Sequence, residues 1–106
     1  MPQDRFRGQH LIPTHMQEGL ARYLFDGIAP GGFLTAVLAN DLVQSFGRAD
    51  PTNEEMMWHW ASWLYNYAPI HPAKCWGSYE QIDWWCLQGG AKGLGLADAL
   101  KEDNHD

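Results

Sequence analysis

Along residues 28–50, IAPGGFLTAVLANDLVQSFGRAD, the apolar positions recur with a helical period: Leu34, Leu38, Leu42 and Phe46 fall at i, i+4, and Phe33 and Val37 widen the stripe. Ala36 and Ala39 keep its flanks narrow. Gly27 closes whatever precedes, and Pro30 suits a first helical position, where the missing N–H costs nothing and φ is already helical. The pattern predicts a helix over 30–47 that is apolar on most of its circumference. Such a helix is normally surrounded by others, and Leu34, Leu38 and Leu42 are its expected buried residues.

Similar patterns on either side predict three more helices. Residues 1–13 lack periodicity and read as an irregular arm, laid over the rest by Phe6, Leu11 and Ile12. Thr14 and Gln17 have capping-box spacing, and Met16, Leu20, Tyr23 and Leu24 form the apolar face of a helix over 14–27, with Gly27 in a Schellman-type ending. Asp50-Pro51 followed by Glu54 and Glu55 marks the start of a helix over 51–67. Its core face carries Met56, Met57, Trp60, Trp63, Leu64 and Tyr67, while Trp58 and Tyr65 lie off that stripe, seven residues apart on one side. Residues 69–77 form a loop by their two prolines and glycine, and Ser78 with Gln81 opens a helix over 78–88 that points Ile82, Trp85 and Cys86 inward. Residues 91–106 are a loosely docked tail. The expected architecture is all-α, one small domain resembling a four-helix bundle.

Composition narrows the function classes. A chain of 106 residues has room for one domain, and no apolar run approaches the ~20 residues of a membrane span. The first ten residues carry charges without a following apolar h-region, so the expected location is cytoplasmic. Two cysteines, Cys75 and Cys86, are too few for a disulfide scaffold and are expected as thiols. Seven basic against 13 acidic residues give a net charge of −6, which argues against duplex DNA as a partner. The six tryptophans all lie in the second half, more than so small a core hides, which predicts self-association.

The elements PGGFLTAVLANDL, then GRAD with Asn53 three residues on, then LYNYAP and WGS before a short helix resemble a family of small phage and prophage proteins. The resemblance spans residues 11–90, interrupted by an inserted stretch at 70–74. It implies a phage accessory protein working in the cytoplasm of the host cell, and implies no particular activity.

Two helix starts have the composition of an anion site. Gly31 and Gly32 leave bare backbone N–H groups after Pro30, and Trp76 stands just before the Ser78 cap. With Trp58 or Trp76 as a stacking surface, the same groove would take a nucleotide-like ligand. The leading functional expectation is therefore a phage-encoded binding protein that sequesters a host nucleotide-like signalling molecule as an anti-defence device, through Gly31, Gly32, Trp58, Trp76 and Ser78. The alternative is a protein-interaction module that inhibits or adapts a host protein. Glu55, His59 and Ser62 share a polar stripe without the marks of a catalytic set, and His71 and Cys75 lack the compact double spacing of a structural zinc site. No catalytic residue, metal or cofactor is expected.

Overall fold

The computed structural model describes residues 5–68 and 74–101, and among them every regular element is helical. A 3-10 turn at Gln9–Leu11 leads into α1 (Thr14–Asp26), α2 (Gly32–Leu38), α3 (Leu42–Arg48), α4 (Pro51–Glu55), α5 (Met57–Asn66), α6 (Tyr79–Leu87), α7 (Gly90–Leu94) and α8 (Ala97–Lys101). The radius of gyration, 12.9 Å, is that of one packed domain of this length.

α1 does not begin with the capping box that Thr14 and Gln17 suggest. Pro13 occupies the cap position without a side-chain bond, and the Gln17 amide donates instead to the carbonyls of Gln9 at 3.2 Å and Ile12 at 2.9 Å. Gln17 thus ties the 3-10 turn to the helix. The preceding segment lies over the bundle, with Phe6 and Ile12 buried. The Trp63 indole N–H donates to the Arg7 carbonyl at 2.8 Å, and the Arg7 N–H to the Leu100 carbonyl at 2.9 Å. At the other end Gly27, at φ 70°, donates to the Tyr23 carbonyl at 3.0 Å and the Ile28 N–H reaches back to the Arg22 carbonyl at 3.4 Å, a two-bond left-handed ending whose acceptors lie one residue earlier than those of a standard Schellman pair.

The continuous helix expected over 30–47 is two helices. Asn40 adopts φ 65°, its N–H donates to the Val37 carbonyl at 3.0 Å, and the Asp41 N–H donates to the Ala36 carbonyl at 3.0 Å. That is the Schellman pair, with asparagine in the left-handed place where its short polar side chain is tolerated. Asp41 then restarts the chain as an N-cap, its carboxylate accepting from the Gln44 N–H at 3.2 Å. The break turns α3 away from the line of α2. Leu34 and Leu38 are buried, whereas Leu42, expected beside them in the core, is 66% exposed.

The helix expected over 51–67 also divides. Asp50 caps α4, accepting from the Asn53 N–H at 2.7 Å. At Met56 the chain tightens, its N–H shared between the Thr52 and Asn53 carbonyls, before α5 continues. Asn53 is buried and accepts the Trp60 indole N–H at 3.2 Å, fixing α4 to α5. Trp60, Trp63 and Trp85 are the largest fully buried side chains, packed with Tyr23, Phe6, Leu20, Leu24 and Leu38. The Trp85 N–H donates to the Tyr23 carbonyl at 3.0 Å, which locks α6 onto α1. The loop expected over 69–77 falls largely on residues 69–73, outside those described, as does the end of the tail beyond Lys101.

Candidate functional site

Among the concavities formed by the described residues, two take up part of the residues singled out in the sequence. The first is an apolar groove of ≈ 290 Å³ between α3 and α5. Val37 forms part of its lining; Leu42, Ser45 and Phe46 face it from α3, and Met57, Trp58, Trp60, Ala61 and Leu64 from α5. The outer surface of these two helices is unusually apolar: Leu42, Val43, Phe46, Trp58 and Tyr65 are 66, 77, 47, 72 and 88% exposed. Ser45 is buried because its hydroxyl donates back to the Asp41 carbonyl at 2.7 Å, so it offers the groove no free donor. Among the described residues of the lining only Asp41 is charged. One of its oxygens caps α3 and the other accepts the Tyr79 hydroxyl at 2.7 Å, a bond that holds the Tyr79 phenol above its usual pKa.

The second is a more polar cleft of ≈ 430 Å³ where α1 faces the start of α2. Gly31 and Gly32 line it with His15, Glu18, Arg22, Arg48 and Asp50. Most of its charges are already paired. The His15 ring meets Asp50 at 2.9 Å, and Glu18 holds Arg22 at 3.3 Å and Arg5 at 2.9 Å. The Asn53 N–H, and then His15, keep the Asp50 carboxyl below the usual carboxylate range. Arg48 is the exception: its Nε donates to Gln44 at 3.3 Å, and a Cβ on Gly32 would stand 3.0 Å from its Nη1. The guanidinium therefore lies against bare glycine backbone.

Gly31 and Gly32 are thus together in the cleft, and Trp58 is in the groove. Trp76 and Ser78 line neither. Trp76 is half-buried with the Lys74 ammonium 4.8 Å from its ring centroid, and its indole N–H has no hydrogen-bond partner among the described residues. Ser78 serves as the N-cap of α6, accepting from the Gln81 N–H at 3.0 Å. The shared groove expected of glycines and indoles does not assemble. Leu42 and Phe46 are surface residues here, because the period that places them on an apolar stripe says nothing of whether the stripe is covered. The Asn40-Asp41 pair, a left-handed candidate followed by an N-cap residue, is the signal that could have found them.

No hydrogen bond joins His59 to Ser62. The Ser62 hydroxyl accepts from Asn66 at 3.2 Å, and the His59 Nδ1 has no partner among the described residues while its ring packs edge-on against Trp58 at 5.6 Å. Among the described residues no group of three or more His, Cys, Asp and Glu is placed to hold a metal ion, and His71 lies outside them. Cys75 is buried, which pushes its thiol up to about 12. Tyr23 is raised as well by burial, its hydroxyl donating to the Cys75 carbonyl at 2.6 Å. Among the described residues no helix is long and apolar enough to cross a membrane. The chain matches no protein-family model, no curated protein and no solved structure.

Proposed function

We propose that this chain acts by binding another polypeptide through the apolar face of α3 and α5, as an interaction module. The observation that supports it is the groove between those helices, lined in part by Leu42, Phe46 and Trp58, together with the exposed Val43 and Tyr65 on the same two helices. Exposed aromatic anchors beside an apolar groove are what a partner's apolar side chains bury, and aromatic anchors carry most of the energy in such contacts. In the phage setting that the resemblance implies, occupation of this face would inhibit or adapt a host protein.

A second reading keeps one supporting observation. The Arg48 guanidinium against Gly32, without an ion-pair partner among the described residues, favours an anionic small molecule in the cleft, a nucleotide-like signal among them. No tryptophan lines that cleft, so such a ligand would be held by guanidinium and backbone contacts rather than by stacking.

Native mass spectrometry of the chain recovered from phage-challenged host cells separates the two. The first reading expects a bound polypeptide that is lost in Leu42→Glu and kept in Arg48→Ala. A retained small molecule with the opposite dependence moves the assignment to the cleft.

A further inference from the structure

Resting on the reading of α3 and α5 as an interaction face, we infer that its occupant in the isolated protein is a second copy of the same chain, paired about a two-fold axis. Three features point to self-pairing, the first being size. With roughly 150–250 Å² for each fully exposed large side chain, the exposed fractions of Leu42, Val43, Phe46, Trp58 and Tyr65 amount to on the order of 700 Å². The largest apolar patch of a typical monomer covers about 300–600 Å², and each partner in a stable complex buries ~800 Å². The face is therefore larger than a lone monomer usually carries and close to what one half of a dimer needs.

The second feature is shape. On α3, Leu42, Val43 and Phe46 fall within about 100° of the helix circumference and form a ridge, because the Asn40 break turns that side outward. Directly beside it lies the groove, between Leu42 and Phe46 on one side and Trp58, Ala61 and Leu64 on the other. A two-fold axis places the ridge of each copy in the groove of the other and makes both contacts at once, which is the condition for an isologous interface. On α5, Trp58 and Tyr65 project from nearly one direction and flank the inserted ridge.

The third feature is charge. A copy with net charge −6 repels another, yet the face itself holds only Asp41, whose two oxygens are already bonded to the Gln44 N–H and the Tyr79 hydroxyl. The repulsion is long-range and screened by salt, with a Debye length of about 10 Å at 0.1 M, while apolar contact is not weakened. Self-pairing therefore strengthens as salt rises. A basic partner on the same face would behave in the opposite way.

The test is sedimentation equilibrium of the full chain over a concentration series at low and high salt, with Val43→Glu and with Leu87→Glu as control. Val43 and Leu87 are 77 and 83% exposed, so neither substitution enters the core, and thermal melting of each variant checks that it folds. The expected result is a dimer at about 50 μM, above the micromolar end of what an interface of this size supports. It should tighten with salt, weaken about tenfold or more in Val43→Glu, and be unchanged in Leu87→Glu. A monomer at all concentrations overturns the inference, and so does a dimer that Val43→Glu leaves intact. A Leu/Lys amphipathic helical peptide titrated against the monomer then distinguishes two failures. A shift in tryptophan emission that Val43→Glu abolishes would leave the interaction-module reading standing without self-pairing, and no shift would remove both.

Discussion

Gly27 and Gly90 meet backbone to backbone: a Cβ on Gly27 would stand 2.6 Å from the Gly90 nitrogen, and a Cβ on Gly90 would run into the Gly27 nitrogen and stand 2.8 Å from the Phe25 carbonyl carbon. The contact joins the end of α1 to the start of α7, and both residues have positive φ, 70° and 69°. Gly90→Ala therefore combines left-handed strain with overpacking, at a cost of about 3 kcal/mol. Gly95→Ala isolates the strain, since Gly95 has φ 74° and nothing within 4 Å of a built Cβ; its expected cost is ~1 kcal/mol. Equilibrium urea unfolding of both variants checks this, and equal costs would mean that the close approach contributes nothing.

Leu38 and Leu42 lie one helical turn apart in the sequence and on opposite sides of the Asn40 break. Leu38 is fully buried and Leu42 is 66% exposed. Leu38→Ala should cost ~2–5 kcal/mol, and Leu42→Ala should stay within about 0.5 kcal/mol for the monomer. Denaturation at low micromolar concentration, below any self-association, measures both. Comparable losses at the two positions would restore the single long helix.

Asp50 accepts from the Asn53 N–H and pairs with His15, and its carboxyl titrates below the usual range. A lowered folded-state pKa gives stability that is present above the unfolded value of ~3.9 and is lost as pH falls through it toward the folded value. Asp50→Asn keeps an N-cap acceptor but removes the titration. Between pH 5 and pH 3 the urea midpoint of the native chain should fall further than that of Asp50→Asn. Parallel losses would show that Asp50 does not contribute to the acid response.

Cys75 is buried with its thiol pushed up to about 12, while Cys86 is only half-buried. Burial, followed by Asp83, also raises the Cys86 thiol, so its reaction is slow rather than absent. A thiol reagent at pH 8 should label one cysteine of the folded chain, Cys86, and reach Cys75 only on unfolding. Mass spectrometry of peptides from the labelled protein assigns the sites, and early labelling of Cys75 would contradict its place in the core.

What the sequence by itself determined is what rests on neighbouring residues. Asp50 and Ser78 cap helices because an acceptor side chain and the N–H three residues on need no tertiary partner, and the left-handed turn at Gly27 follows from its missing Cβ. The helical period also separated Trp58 and Tyr65 from the core stripe of α5, and both are exposed. Tertiary structure decided the rest. Thr14 and Gln17 have the spacing of a capping box, but Gln17 is drawn to the Gln9 and Ile12 carbonyls that the folded-back arm leaves within reach. Periodicity put Leu42 and Phe46 on one stripe with Leu38, and it could not say that the stripe would be cut at Asn40, because a left-handed asparagine competes with helix continuation through hydrogen bonds and packing beyond its own turn. That one break made the groove, and the course of the chain around it left Gly32 against Arg48 instead of an indole. Local hydrogen bonding writes the caps into neighbouring residues; which apolar faces are covered depends on contacts between residues far apart in the chain.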